Sequence, residues 1–435
     1  MGTRQSCRSA GKPACNTAHV TNTPRHGDKR RSAQRRFAAK PRVSSNTRET
    51  LPLEPTGYKK HVAINRDIFD ELFVLELANN HWGDLERGKQ IVTDYSRVVR
   101  YNNVRAAIKL QFRDVDSFVH PEAQERTDIR YIKKTMDTKL SRDDLTALVE
   151  HIRKSNCIAM ATPFDEKSVD FCQELNLPII KIASSDINDW VLIEKIAKTK
   201  KPVIASTGGS TLKDMDDLVT FFENRNIPLA LNHCVSLYPS EDNDLELNQI
   251  DFMKHRYPDL TIGFSSHEYH DWTTSIAIAY AKGARTFERH IDIEAGGIPV
   301  SPYCSLPEQC DTWFRAFNKA KEMCGSAGTQ KRIPGNAETQ YLDALVRGVY
   351  ASHELAAGHK LTEDDVFLAV PLLQGQLSCR ELIAGETLTK PLVKGQPLML
   401  DGVDTPYGRN PQMRARIEQR GIATGVNGKT TAGVH

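Results

Sequence analysis

The chain has 435 residues, a formal net charge of +3, 39% hydrophobic residues and 26% charged residues, which is ordinary for a globular protein. Much of the positive charge lies before residue 50, so the remainder offers no basic face of the kind that binds nucleic acid. No run approaches about 18 consecutive apolar residues, so we expect no membrane span. The chain is longer than one ordinary domain, since even a large parallel barrel takes about 250 residues. The length therefore predicts an additional, smaller module.

The amino-terminal segment and the cysteines bear on where the protein resides. Residues 1–55 are rich in Arg, Ser and Thr and almost lack acidic residues, which is typical of a disordered basic tail, of sequence upstream of the natural start, or of an organelle transit peptide. No CxxC pattern occurs, and Cys157, Cys234, Cys304 and Cys379 lie in or beside apolar runs. We therefore expect buried free thiols and a cytoplasmic protein, with organelle targeting as the alternative.

Eight short apolar runs, each ending in polar residues, are separated by segments with helical periodicity. Such runs are typical of strands that are buried on both faces. They are Leu72–His81, Ala106–Gln111, Ile158–Phe164, Ile179–Asp186, Pro202–Gly209, Leu229–Ser236, Ile262–His267 and Arg285–Ile291. Eight βα units in succession predict an α/β fold, a closed (β/α)8 TIM barrel, whose active site lies at the carboxyl ends of the strands.

The predicted division of the chain follows from these runs. Two predicted helices begin with a capping box, Ser141 with Asp144 and Thr211 with Asp214. After the amino-terminal segment we predict the barrel over residues 60–325, a linker over 326–346, a small module over 347–403 and a flexible tail over 404–435.

Polar residues at the predicted strand ends suit a small polyanion. Lys109 and Gln111 lie two positions apart on the second strand and therefore share a face. Lys181 and Ser184 end the fourth strand. Ammonium groups, hydroxyls and backbone N–H groups can together surround an anion, the further candidates being Thr162, Ser206, Ser265 and the turn Gly208–Gly209. Any single Ser or Thr could instead cap a strand end, but two buried lysines without an anion would be costly.

Two histidines and one glutamate complete the candidate site. His267 and His290 end the seventh and eighth strands, which are neighbours in such a barrel. Two imidazoles suit a divalent ion that keeps open positions for water and substrate, although either ring could be a hydrogen-bonded core residue. His233 is interpreted as a structural or supporting group. Glu76 ends the first strand and is the carboxylate placed to act on a proton.

Eight segments resemble, in order, those of the sialic acid synthase family, whose members condense phosphoenolpyruvate with an N-acetylhexosamine to give a nine-carbon 2-keto acid. They are ELANNHWG (Glu76–Gly83), KLQ (Lys109–Gln111), ATPFDEKSVDF (Ala161–Phe171), KIASSD (Lys181–Asp186), STGG (Ser206–Gly209), NHCVSLYP (Asn232–Pro239), GFSSHE (Gly263–Glu268) and FERHI (Phe287–Ile291). The segment Arg347–Pro371 resembles the antifreeze-protein-like (SAF) domain that ends such synthases. The resemblance implies a barrel followed by a SAF domain, and a transferase activity.

The same resemblance implies roles for individual residues. It assigns phosphoenolpyruvate binding to Lys109, Thr162, Lys181, Ser184, Ser206 and Ser265. It assigns a divalent metal to His267 and His290, manganese first, with magnesium or cobalt as alternatives. It assigns sugar binding and proton transfer to Glu76, Gln111, Asp186 and Tyr238. It also implies a domain-exchanged homodimer in which the module of one chain closes the barrel of the other.

Departures from the family pattern concentrate on the sugar side. Asp186, Ser236, Ser266, Ser301 and Val370 stand where the family usually has Glu, Asn, Asp, Asp and Arg. We therefore expect an acceptor other than plain N-acetylmannosamine. One alternative is a 2-keto-3-deoxy acid synthase for a different or shorter aldose, phosphorylated or not, against which the sequence shows no Arg cluster for an acceptor phosphate. The other is a non-catalytic sugar-binding protein, which the retained lysines and histidines disfavour.

Overall fold

The computed structural model describes residues 68–325, 331–381, 383 and 385–423. The prediction of a basic tail or transit segment over residues 1–55 lies outside the described residues, as do residues 326–330 of the predicted linker and 424–435 of the predicted tail.

Eight parallel strands form a closed barrel, as the sequence predicts. Each strand pairs with its neighbours along the chain, and β1 pairs with β8 to close the sheet. The strands are β1 Leu72–Ala78, β2 Arg105–Phe112, β3 Ile158–Pro163, β4 Ile180–Ile182, β5 Val203–Ser206, β6 Leu229–Cys234, β7 Thr261–Ser266 and β8 Thr286–Ile291. A short ninth strand, β9 (Cys304–Ser305), pairs with the outer edge of β8 beyond the closed ring.

Apolar side chains pack on both faces of the barrel strands. All seven residues of β1 are buried, as expected for a strand covered on both faces. Near the amino-terminal ends of the strands, Leu72, Val74, Met160 and Ile204 fill the barrel interior. The polar residues at the opposite ends of the strands therefore lie above an apolar floor.

Ten α-helices surround the barrel and its mouth in the described residues 68–325. They are α1 Leu85–Asn102, α2 Val115–Phe118, α3 Arg130–Asp137, α4 Arg142–Lys154, α5 Glu166–Glu174, α6 Trp190–Lys198, α7 Leu212–Glu223, α8 Asn248–Arg256, α9 Thr274–Lys282 and α10 Pro307–Cys324. Both predicted capping boxes are present, at the starts of α4 and α7. In the part of the chain that the structure describes, no helix is long and apolar enough to cross a membrane.

The carboxyl-terminal module has its own small core, which includes Val349, Leu361 and Leu398. The predicted linker contains a helix, α11 Asn336–Asp343. The elements of the module are β10 Gly348–Ala351, β11 Val366–Ala369, β12 Thr387–Leu388, β13 Val403–Asp404, α12 Pro406–Arg409 and α13 Pro411–Glu418. The prediction of a flexible tail from residue 404 differs from the structure over residues 404–423. There the chain forms α12 and α13, because Ile417 packs into the core of the module and is 2% exposed.

The described cysteines are free, as predicted. Cys157, Cys234 and Cys304 are buried, together with Cys172 and Cys310. Cys379, which we expected to be buried, is exposed because it lies on the surface of the module beyond its apolar core.

We predict that Gly263→Ala destabilises the barrel by about 1–3 kcal/mol, because overpacking a filled interior displaces its neighbours. A Cβ atom at Gly263 would lie 1.8 Å from Thr286 Oγ1 and 2.2 Å from Asn232 Oδ1, two buried atoms that hydrogen-bond to each other. The thermal unfolding midpoint measures the effect. Gly402→Ala is the matched control, since no atom lies within 4 Å of its added Cβ. Equal midpoints for the two variants would contradict the prediction.

Candidate active site

A cavity of about 840 Å³ opens at the carboxyl ends of the barrel strands. Every residue to which the resemblance assigns a role lines it. These residues are Glu76, Lys109, Gln111, Thr162, Lys181, Ser184, Asp186, Ser206, Tyr238, Ser265, His267 and His290. Of the turn Gly208–Gly209, the lining includes Gly208. The cavity is large enough for small-molecule substrates, whose sites typically measure about 300–1,000 Å³.

The strand register brings these residues together at one end of the barrel. Glu76 on β1 pairs in register with Lys109 on β2 and with His290 on β8. Gln111 lies opposite Thr162 on β3. Because parallel strands end on the same side of a barrel, residues distant in sequence meet at this mouth.

Two buried lysines and two buried glutamates form the centre of the cavity. Lys109 Nζ makes ion pairs with Glu76 Oε2 and, at 2.7 Å, with Glu288 Oε1. Lys181 Nζ lies 3.7 Å from the same Glu288 oxygen. Burial would raise the pKa of Glu288, but the charges of Lys109 and Lys181 outweigh it and lower the pKa to about 2. Burial also lowers the pKa of Lys109 to about 7, against the opposing charge of Glu288.

Glu288 was not singled out from the sequence, although a signal was available. It precedes His290 by two residues on β8 and therefore shares the inward face of that strand. Its Oε2 atom is buried and has no hydrogen-bond partner within the described structure. A buried carboxylate oxygen of this kind is available to a ligand or to water.

Hydroxyl and backbone groups surround the two lysines. Lys181 Nζ donates to Ser206 Oγ at 2.6 Å, and the backbone N–H of Gly208 donates to Ser184 Oγ at 3.1 Å. Ser265 Oγ lies 3.4 Å from Glu288 Oε1. Such donors, close to two ammonium groups in a region withdrawn from water, can bind carboxylate or phosphate oxygens.

The two histidines lie side by side, with ring centroids 5.4 Å apart. His267 Nδ1 hydrogen-bonds to the carbonyl oxygen of Val235 at 2.9 Å, which leaves Nε2 as the nitrogen available to a ligand. Burial lowers the pKa of His267 to about 4 and that of His290 well below its usual value. Both rings are therefore neutral near pH 7, the form that binds metal. Tyr238 packs 4.0 Å from the His267 ring.

The histidine pair fits a divalent ion that takes most of its ligands from water and substrate. Among the described residues no group of three or more His, Cys, Asp and Glu side chains is arranged to hold a metal. A protein contribution of two imidazole nitrogens would leave several positions of such an ion open.

A buried ion pair joins the residues that adjoin the two histidines in the sequence. Arg289 Nη1 donates to Glu268 Oε1 at 2.6 Å, and both side chains are 1% exposed. Arg289 also donates to Ser305 Oγ at 2.8 Å and to Ser266 Oγ at 3.3 Å. These contacts hold the residues that flank His267 and His290, and they direct Ser266 away from the cavity.

Of the other residues that differ from the family pattern, some line the cavity and some lie outside it. Asp186 and Ser236 line the cavity, and one Asp186 carboxylate oxygen is buried without a hydrogen-bond partner in the described residues. Burial raises the pKa of Asp186. Ser301 lies outside the lining, and Val370 is an exposed residue of the module. His233 bonds the Leu245 carbonyl at 2.7 Å and is structural, as interpreted.

Three further residues line the cavity but do not lie at the end of a predicted strand. Arg113 follows β2 directly, Lys134 lies on α3, and Tyr303 precedes β9. The Tyr303 ring packs 5.2 Å from His290. Arg113 is the one arginine in the described lining, so the structure shows no Arg cluster there, but Arg113 and Lys134 add two cations that the sequence did not nominate. They were missed because they lie beyond the predicted strand ends.

A closed parallel barrel with ionisable side chains gathered at the carboxyl ends of its strands has the architecture of a barrel enzyme. The model of the NeuB family matches residues 102–327, which is more than half of the chain, and the model of the SAF domain matches residues 346–404. The chain belongs to the NeuB family.

Similar proteins agree with this assignment. A solved structure from Chromobacterium violaceum, assigned to spore coat polysaccharide biosynthesis as protein E, is 34% identical and covers 77% of this chain and 100% of its own, with a TM-score of 0.73. The N-acetylneuraminate-9-phosphate synthase of Drosophila melanogaster is 29% identical over 57% of this chain and 67% of its own. The N,N'-diacetyllegionaminic acid synthase of Campylobacter jejuni is 28% identical over 68% of this chain and 89% of its own.

We predict that Glu288→Gln lowers the pKa of Lys109 below its value of about 7, because the variant removes a charge that favours the ammonium form. Titration of lysine side-chain carbon resonances by NMR measures the change. Glu294→Gln, at an exposed position beyond β8, is the control and should leave the pKa of Lys109 unchanged. A pKa that rises or stays constant in Glu288→Gln would show that this pair does not govern the charge of Lys109.

Proposed function

We propose that the chain condenses phosphoenolpyruvate with an aldose of the hexosamine type to form a nonulosonic 2-keto-3-deoxy acid, with release of phosphate. The observation that carries the proposal is the meeting of two buried lysines and the His267–His290 pair in one cavity of a NeuB-family barrel. The relatives named above support it. One relative is named for a phosphorylated product and another for an unphosphorylated product, so these names do not indicate whether the acceptor of this chain is phosphorylated.

The donor half of the cavity supports phosphoenolpyruvate. Lys109, Lys181, Thr162, Ser184, Ser206 and Ser265 are the groups that we assign to its phosphate and carboxylate. Lys181 and Ser206 already contact each other at 2.6 Å, so these groups are preorganised before any anion arrives. Ammonium and hydroxyl groups fixed in a region of low dielectric stabilise anionic oxygens more strongly than water-exposed groups do.

We assign a divalent metal, manganese first with magnesium or cobalt as alternatives, to His267 and His290. Their neutral rings and the Val235 bond that orients His267 support the assignment. When bound, such an ion supplies Lewis-acid polarisation of the acceptor carbonyl. Tyr238, whose ring lies against both histidines, would position the sugar above them.

Glu76 is the group that we assign to proton transfer. C3 of phosphoenolpyruvate forms a bond to the aldehyde carbon, the aldehyde oxygen takes a proton, and C2 becomes electron-deficient. Water then adds to C2 while Glu76 accepts a proton, and the resulting hemiketal phosphate releases inorganic phosphate to leave the ketone. Glu76 is buried and hydrogen-bonded by Gln111 Nε2 at 3.2 Å, which fixes the carboxylate for this role.

We further propose a homodimer in which the module of one chain closes the cavity of its partner. Within the described residues the whole cavity lining comes from the barrel, from Glu76 to Tyr303, and none of it from the module. The module also exposes apolar side chains on and beside β11, Phe367, Leu368 and Val370. Exposed apolar groups of this kind suit contact with another protein surface.

We place the reaction in the cytoplasm. The described cysteines are free, and five of them are buried within the barrel, which suits a reducing compartment. Phosphoenolpyruvate would be available there as a central metabolite.

Lys181→Met should raise the Michaelis constant for phosphoenolpyruvate about ten-fold or more and change that of the sugar far less. One charge-assisted hydrogen bond contributes about 1.5–3 kcal/mol to anion binding. Lys109→Met should act in the same direction. Steady-state kinetics with each substrate varied in turn provide the test, with Lys213→Met on the surface of α7 as the control. Equal effects on the two substrates would indicate a merely structural role for the lysines.

Removing divalent metal with a chelator should abolish turnover, and manganese, cobalt or magnesium should restore it. His290→Ala should lose manganese binding by calorimetry while keeping the circular dichroism spectrum of the parent. His255→Ala, which changes an exposed histidine on α8, should bind the metal normally. Full activity in the presence of chelator would refute the assignment of His267 and His290.

Deleting the chain after Thr339 should leave a folded barrel with little activity, because the module no longer controls water and substrate at the mouth. Analytical ultracentrifugation of the full chain should give a dimer, and calorimetry should still detect phosphoenolpyruvate binding to the truncated barrel. A full-length monomer, or a truncated chain with full activity, would contradict the proposed assembly.

A further inference from the structure

The outer part of the cavity carries two cations that the donor and metal assignments do not use. Arg113 and Lys134 both line the cavity, together with Phe118, Tyr131 and Phe164. We call these five residues the outer wall. Lys109, Gln111 and Arg113 alternate along one face of the chain, so Arg113 lies closer to the mouth than the buried lysine does.

Several contacts fix the Arg113 guanidinium in place. Its Nη1 donates to Gln111 Oε1 at 2.9 Å, and its Nε donates to Tyr131 Oη at 3.1 Å. The guanidinium carbon lies 3.7 Å from the centre of the Phe164 ring and 5.6 Å from that of Phe118. Aromatic stacking and two hydrogen bonds therefore hold a charged group in one orientation.

Lys134 is brought to the same region by α3. It follows Tyr131 by three residues, and side chains with this spacing share one face of a helix, about 5–6 Å apart at Cβ. Tyr131 contacts Arg113, so Lys134 lies one turn further along the same wall. Its Nζ atom lies 5.7 Å from the centre of the Trp82 ring.

The outer wall has more positive charge than nearby acids neutralise. In the part of the chain that the structure describes, no carboxylate oxygen lies within 4 Å of Arg113 or Lys134. Asp186 and Asp165 act on Arg113 only from a greater distance. The deeper lysines, in contrast, are paired with Glu76 and Glu288. Partly buried cations are stabilised when an anion reaches them, so the wall is suited to an anionic ligand group.

We propose that the acceptor aldose carries an anionic group, a phosphate or a carboxylate, which Arg113 and Lys134 bind at the outer wall. This inference rests on the proposed function, in which the aldehyde end of the sugar must reach the histidine pair and phosphoenolpyruvate. The outer wall lies toward the mouth, so the anionic group belongs at the opposite end of the sugar. The unpartnered oxygen of Asp186 would accept a hydrogen bond from a hydroxyl between the two ends.

The experiment compares three acceptors with the full-length protein, phosphoenolpyruvate and manganese. They are an N-acetylhexosamine, its 6-phosphate, and the corresponding uronic acid, and the rate is followed as formation of 2-keto acid. We expect the value of kcat/KM to be at least about ten-fold higher for one of the anionic acceptors than for the neutral sugar. Preference for the 6-phosphate or for the uronic acid identifies which anion the wall binds.

Arg113→Gln and Lys134→Gln should each lower that preference about ten-fold by raising KM for the anionic acceptor. Because Arg113 also holds Gln111 through a hydrogen bond, the readout for each variant is the ratio of kcat/KM for the anionic acceptor to kcat/KM for the neutral sugar, compared with the same ratio in the parent. Lys133→Gln is the matched control, because it removes a charge from the adjacent position of α3 that instead pairs with Asp137. Lys134 is only half-buried, so its variant remains informative if Arg113→Gln fails to fold.

Two results overturn the inference while the proposed function stands. One is a neutral sugar that is used as well as its anionic forms. The other is an anionic preference that Arg113→Gln, Lys134→Gln and Lys133→Gln leave equally intact. Failure of the proposed function has a different outcome, in which phosphoenolpyruvate is not consumed with any of the three acceptors.

Discussion

The site depends on Lys109 being held between two carboxylates, Glu76 and Glu288. Moving each of these charges from water into the barrel costs several kcal/mol unless an opposite charge meets it there. The three side chains come from β2, β1 and β8, the strands at which the barrel closes. A shift of register at either junction would turn a charge outward into the apolar layer or leave it unpaired. The ion pairs and the strand register therefore require each other.

Most of the cavity lining was predictable from the sequence because it obeys one topological rule. Residues that end parallel strands meet at the same mouth, so finding the eight apolar runs was enough to bring Lys181, Ser206 and His267 together. Glu288 could have been included by the same reasoning, since it alternates with His290 along β8.

The parts that could not be predicted lie outside strands. Arg113 and Lys134 lie in the connection between β2 and α4, so the rule that strand-end residues meet at one mouth does not identify them. The sequence predicts a flexible tail where α13 forms, because the buried contact of this helix with the module depends on one residue, Ile417. Tertiary packing, rather than local pattern, decides the structure of such segments.

The pairing of β1 with β8 has a consequence for how the protein becomes active. Glu76 and His290 are neighbours across that junction, yet nearly the whole barrel sequence separates them along the chain. During synthesis Glu76 can meet Lys109 on the next strand, but its neighbour on β8 is added only when almost the whole barrel has been made. No shorter amino-terminal fragment can contain a working version of the site. The arrangement of Glu76 beside His290 therefore exists only when the ring is complete.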